Sequence, residues 1–302
     1  MVWNLRILRL KLSSNHIWGD AMKFKSLFLA TATALALSAG SALAGPFIIS
    51  GTDSDDHGSA SGGVNFTGWK YMQKALENIG GAVTNGNKKV VTLGTSGSTA
   101  GAAALSAFSL SSLVGAGWTF GTVDGTTDLT DFFSGAGLIN TGNTGIIMID
   151  SGDNVSGGIS AAEEAVLTAN AAALNAFVGA GGGLFAQASD LGWLSALIKG
   201  IVTVDLGGGG SGTSLLLTAA GSAAFPGLTN ADLSSGPWHH YFTGYAPLSL
   251  LAESSGGFDV IIGGVGGSIT DPGPIGVPEP LTLTLFGAGL AGAAALRRRK
   301  KA

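Results

Sequence analysis

Short unbroken apolar runs alternate along this chain with longer stretches in which apolar residues return every three or four positions. The short runs predict strands at 47–50, 89–93, 117–123, 145–150 and 183–186. The clearest is Ile146-Ile147-Met148-Ile149, where no polar residue interrupts the run, so both of its faces are expected to be covered. The longer stretches predict helices. Trp69, Met72, Ala75, Leu76 and Ile79 share one face of a helix over 69–79, and further helices are expected over 100–114 and from 161 to about 178. Ser160 with Glu163 three residues later is a capping box for the last of these. Gly179 to Gly183 then stop it and lead into the next strand. Less regular strands are expected at 201–206, 214–218, 248–251 and 258–262. The other glycines gather between elements, as at Gly62-Gly63, Gly157-Gly158 and Gly207 to Gly210, with no fixed repeat. Strands and helices in this alternation predict one α/β domain over 45–270, built on a mostly parallel sheet.

Hydropathy sets both ends apart from that domain. Lys23 and Lys25 precede an apolar stretch over 27–37, and Ala42-Leu43-Ala44 supplies the small residues of an A-x-A cleavage site. Residues 22–44 therefore read as a secretory signal, with Gly45 as the mature N-terminus and the Sec translocon and signal peptidase as partners. A complete signal starting at Met22 makes 1–21 an over-extended start, a long n-region being the alternative. At the other end, a Pro/Gly linker over 271–277 leads to Pro278-Glu279-Pro280. Sixteen uncharged residues over 281–296 follow, and Arg297, Arg298, Arg299, Lys300 and Lys301 come next. As a helix the apolar stretch spans about 24 Å, short of a roughly 30 Å hydrocarbon core but able to insert with local thinning. The basic cluster would remain cytoplasmic.

This tail, 278–302, resembles the PEP-CTERM sorting signal on its three linked parts: the Pro-Glu-Pro motif, the apolar transmembrane helix and the basic end. The resemblance implies an exosortase that cuts near Pro278, Glu279 and Pro280. It also implies a transient inner-membrane anchor, and delivery to the cell surface, the outer envelope or an exopolysaccharide matrix. A plain C-terminal membrane anchor is the competing reading.

Charge changes the picture of the domain. The whole chain has a formal charge of −4, but ten of its fifteen basic residues sit in the two ends. Between Gly45 and Gly276 five lysines face seventeen carboxylates, a net charge of −12. Such a surface repels phosphate backbones and argues against nucleic acid as a partner. The chain has no cysteine, which excludes thiol nucleophiles, thiolate-bound metals and disulfides.

Candidate chemistry lies where predicted strands end, the carboxyl edge at which open α/β sheets bind ligands. Asp53, Asp55, Asp56 and His57 follow the first strand and offer ligands for a hard divalent cation or a base; an acidic loop that caps turns is the alternative. Asp150-Ser151-Gly152-Asp153-Asn154 follows the isoleucine strand, and Gln187-Ala188-Ser189-Asp190 makes a sharp turn after Phe185. Ser189 occupies a nucleophile-elbow position without the Gly-x-Ser-x-Gly frame. His239 and His240 lie between Trp238 and Tyr241; on an extended segment adjacent side chains diverge, so one of the two is expected to face a pocket.

The strand order, the Asp55-Asp56-His57-Gly58 segment, the Gly-Gly-Gly-Leu-Phe strand entering an elbow and the late histidines together resemble the class I glutamine amidotransferase-like fold, nearest its ThuA-like branch. The resemblance spans about 46–265 and implies a three-layer, flavodoxin-like sheet with helices on both faces. Amidotransfer itself needs an elbow cysteine that this chain lacks. The expectation is an exported surface protein whose domain is non-catalytic or ligand-binding. A divergent hydrolase acting on carbohydrate or another small polar substrate, through Asp55, Asp56, His57 and His239 or His240, is one alternative. A cation-binding module on the Asp53–Asp56 cluster is the other.

Overall fold

The computed structural model describes residues 45–264, apart from 95–96, 153–155, 189–190, 207–213 and 247. The expected signal peptide, linker and sorting tail, with its transmembrane helix, lie outside the described residues. Among the described residues no helix is long and apolar enough to cross a membrane.

In chain order, β1 is Phe47–Ser50, and a hairpin of β2 (Gly58–Ser61) and β3 (Val64–Thr67) leads into α1 (Gly68–Gly80). Next come β4 (Lys89–Leu93), α2 (Thr99–Ser109), α3 (Ser112–Gly115), β5 (Thr119–Val123) and α4 (Thr126–Ser134). Then follow β6 (Ile146–Ile149), α5 (Ala161–Ala169), α6 (Ala171–Gly179) and β7 (Gly183–Ala186). The last part holds β8 (Val202–Asp205), β9 (Leu215–Leu217), α7 (Ala219–Ala224), α8 (Asn230–Leu233), β10 (His240–Thr243), β11 (Ser249–Ser254) and β12 (Asp259–Gly264).

Eight strands form one mixed sheet in the order β5-β4-β6-β7-β1-β12-β11-β9. The five from β5 to β1 run parallel, and β12, β11 and β9 each join antiparallel to the strand before them. Strands β4 to β7 follow the 2-1-3-4 part of a flavodoxin-like order. The place of its fifth strand is taken by β1, whose Phe47 and Ile49 lie opposite Leu184 and Ala186 of β7.

Both faces of this sheet are apolar because successive side chains alternate sides. Phe47, Ile49, Leu93, Ile147, Ile149 and Leu184 pack with Leu129 and Phe132 of α4, Leu167 of α5, and Leu174 and Phe177 of α6. Ile48, Val90, Ile146, Met148 and Phe185 pack on the opposite side with Tyr71, Met72, Leu76 and Ile79 of α1 and the alanines of α2. The unbroken Ile-Ile-Met-Ile run is the sequence trace of this double covering.

Several expected elements are divided or displaced. The helix expected over 100–114 breaks after Ser109, and Ser111 restarts it as α3 by accepting the Leu113 N–H. The helix expected from 161 to 178 breaks at Asn170, whose side-chain amide donates to the Val166 carbonyl at 2.9 Å. The strand expected at 201–206 leaves the main sheet and pairs, as β8, with β10. The β2–β3 hairpin turns on Gly62 and Gly63, whose φ angles of +60° and +78° suit a type I′ turn.

The connections diverge at the neighbouring ends of β4 and β6: from β4 the chain moves to one edge, and from β6 to the other. That is the topological switch point of an open sheet, and it opens at the carboxyl ends of the strands.

Candidate functional site

The site begins where β1 ends. Buried hydroxyls of Ser50, Thr52 and Ser54 link in a chain, at 2.7 Å for each step. The Asp56 N–H donates to the Asp53 carbonyl at 3.1 Å and closes a turn over 53–56. A distant segment is held against this turn through its backbone. Thr52 bridges Trp238, and the N–H groups of His239 and His240 both donate to the Gly51 carbonyl, at 2.7 and 3.1 Å.

This pairing brings three of the predicted residues together. His239 Nε2 lies 3.0 Å from Asp53 Oδ2, and His57 Nε2 lies 3.2 Å from the same oxygen. Asp53 is buried, and its other oxygen, Oδ1, has no hydrogen-bond partner among the described residues. A carboxylate only accepts, so with Asp53 ionised each imidazole donates to it from Nε2. His57 packs against Gly236, where a Cβ would stand 2.3 Å from the ring's Cγ. A small pocket lined by Thr52, Asp53, Ser54, His57 and Ser235 adjoins the cluster on the Asp53 and His57 side.

Asp55 and Asp150 form a second, sealed group beside it. Both are fully buried. Asp55 Oδ2 accepts the Ser151 N–H at 2.9 Å, and Asp150 Oδ1 accepts the Thr92 hydroxyl at 2.7 Å. The remaining oxygens, Asp55 Oδ1 and Asp150 Oδ2, make no hydrogen bond among the described residues. Gly94 permits this packing: its φ is +148°, and a Cβ there would come within 2.6 Å of Asp150 Oδ2.

Burial pushes the Asp55 carboxyl up to about 7; the Ser151 N–H opposes the shift and the charge of Asp56 adds to it. Burial likewise pushes Asp150 well above the usual carboxylate range, with the charge of Asp55 adding to it and the Thr92 hydroxyl opposing. Both shifts favour the neutral carboxyl over the charged one.

The other predicted residues fall elsewhere. His240 points away from Asp53, its Nε2 3.9 Å from Asp205 Oδ1 on the paired strand β8. Gln187 is buried at the end of β7. Ser189 and Asp153 lie outside the described residues. Among the described residues no group of three or more His, Cys, Asp or Glu side chains could hold a metal ion. Sequence reasoning missed Thr92, Gly94 and Gly236. Thr92 left a signal as the lone polar residue inside the apolar core of its strand, whereas Gly236 left none.

Residues 276–300 match the PEP-CTERM protein-sorting motif. No curated protein and no solved structure matches the chain. The motif supports a protein sorted by exosortase to the cell surface. The amidotransferase-like resemblance of the domain has no match behind it.

Proposed function

We propose that this is an exported surface protein whose α/β domain is a hydrolase for a carbohydrate or similar small polar substrate, working at Asp53, His57 and His239. In this reading the chain enters the Sec pathway through 22–44, is trimmed after Ala44, and is held by 281–296 until exosortase cuts near Pro278-Glu279-Pro280. The apolar tail is then a temporary anchor, and the mature domain acts at the envelope or in the exopolysaccharide.

The convergence of positions 53, 57 and 239 on one carboxylate oxygen at 3.0 and 3.2 Å carries the catalytic part. A purely structural acidic loop has no need to recruit a histidine from 186 residues away. The cluster lies at the carboxyl end of β1, where Asp53 and His57 line a small pocket. A water held there loses a proton to the cluster as its oxygen bonds to the electrophilic carbon. The proton passes to the leaving oxygen as the old bond breaks.

Release of reducing sugar from the host's own exopolysaccharide by the purified protein tests this reading. Activity that falls in Asp53→Asn and His239→Gln but survives in His240→Gln is the expected result. Activity unchanged in the first two, or absent from the unmutated protein, removes it. Intact mass of the native protein, with and without the exosortase, tests the sorting half. Retention of 281–302 in both strains would mean a plain anchor.

A further inference from the structure

We infer that, while the tail holds the chain on the inner membrane, the edge of the sheet formed by the amino ends of its parallel strands faces the bilayer, and the candidate site points away from it. The inference rests on the sorting half of the proposed function and not on the catalytic half.

The place where the chain leaves the domain is the first ground. Gly264, the last residue of β12, lies opposite Phe47, the first of β1. The tail therefore departs beside the amino end of β1. The secretory signal expected before Gly45 joins at the same edge, because the Gly45 N–H donates to the Val178 carbonyl near the end of α6 at 2.6 Å. Asp53, His57 and His239 gather past the other, carboxyl end of β1. Strands β4 to β7 run in the same sense as β1, so the whole row of parallel strands has its two ends sorted in this way.

Reach is the second ground. Sixteen residues, 265–280, separate Gly264 from the apolar stretch that begins at Leu281. A segment of that length reaches at most about 55 Å when fully extended, and linkers of this size span about 20–24 Å on average. A folded domain of about 220 residues has a radius of gyration of about 17 Å and is roughly 40 Å across. Turning the site to the bilayer would need the tether pulled nearly straight along the domain, at a cost in chain entropy.

Charge is the third. Lys88 and Lys89, two of the five lysines between Gly45 and Gly276, stand at the amino end of β4. Asp53, Asp56, Asp124, Glu163 and Glu164 follow the carboxyl ends of β1, β5 and β6. An anionic bilayer surface attracts the first edge and repels the second within about a Debye length. Tether, reach and charge select the same edge. The site is then open to the exterior before exosortase cuts, and cutting changes where the domain works rather than whether its site can be reached.

Energy transfer to the bilayer tests the inference on the full chain. The chain has no cysteine, so a single introduced thiol carries the donor dye without ambiguity. Ala116→Cys, just before β5, marks the amino edge, and Thr127→Cys, in the first turn of α4 just after β5, marks the carboxyl edge. Both positions are exposed, and the strand between them holds them at least about 16 Å apart. Each labelled variant is reconstituted in phosphatidylethanolamine–phosphatidylglycerol vesicles that contain an acceptor-labelled lipid, and flotation shows the bound chain. Far-UV circular dichroism matched to the unmutated chain shows that each variant is folded. Several-fold faster transfer from position 116 than from position 127 is the expected result. Equal transfer, or faster transfer from 127, overturns the orientation and leaves the anchor. A chain that does not float with the vesicles and shows no transfer from either position overturns the anchor together with the orientation built on it.

Discussion

Asp53 and Asp55 are two residues apart in one turn, yet they live in opposite surroundings. Asp53 meets two imidazoles beside a small pocket, while Asp55 is fully buried and takes the Ser151 main-chain N–H on one oxygen. The turn over 53–56 makes the division, because it breaks the two-residue alternation that would have sent both side chains the same way. In the proposed reading one region exchanges protons with a bound molecule. The other holds protons in place, since burial there penalises the charged form. A run of aspartates is therefore not one acidic site but two neighbourhoods with different electrostatics.

The largest test of that division is catalytic. Replacing Asp53 by Asn or His239 by Gln should lower kcat for sugar release by about 10²–10⁴, the usual span for losing positioned acid–base chemistry. An equal loss in Asp55→Asn would mean that the two neighbourhoods work as one.

The next test is the pH dependence of stability. The folded-state value of Asp55 is raised from 3.8 to about 7, so its contribution is fully present below about pH 4 and is lost as the pH rises through about 7. Thermal stability should decline across that window, by an amount on the order of a few kcal/mol. Asp55→Asn should flatten the decline and melt higher than the unmutated protein at pH 8. A slope that survives the substitution would assign it to Asp150 alone.

Gly94→Ala should cost about 1–3 kcal/mol, because the new methyl enters both a positive-φ position and the space beside Asp150 Oδ2. Its cost should fall mainly on denaturant stability. Thr92→Val should cost about 1–2 kcal/mol and push the Asp150 carboxyl still higher, because the lost hydroxyl bond favours the ionised form. Smallest is Ser160→Ala, about 1 kcal/mol through loss of the capping box on α5, with activity and the pH slope unchanged. A change in either of those readouts would show that the two neighbourhoods depend on a helix end remote from both.

Local physics was legible along the chain wherever neighbours in sequence are neighbours in space. The isoleucine strand, the face of α1 and the Ser160–Glu163 capping box all depend on residues within a few positions of one another, and the folded chain carries each of them. The tail is legible for the same reason, since motif, apolar stretch and basic end are contiguous, and it matches the sorting motif over 276–300. The candidate site was half legible. The strand-end rule drew attention to Asp53, His57, Asp150 and the late histidines, but nothing local says that His239 rather than His240 meets Asp53. That choice rests on two hydrogen bonds to Gly51 and on the pairing of β10 with β8, contacts between segments far apart in the chain.

Sequence by itself determined the α/β alternation, the acidic domain without cysteine and the sorting tail, because these follow from composition and short-range pattern. Only the tertiary structure decided which aspartate meets two histidines and which are fully buried. It also decided that β1 stands beside β7 and that a glycine at position 236 makes room for a histidine at 57. Those outcomes depend on long-range packing, whose energy comes from residues that meet only after the chain has folded.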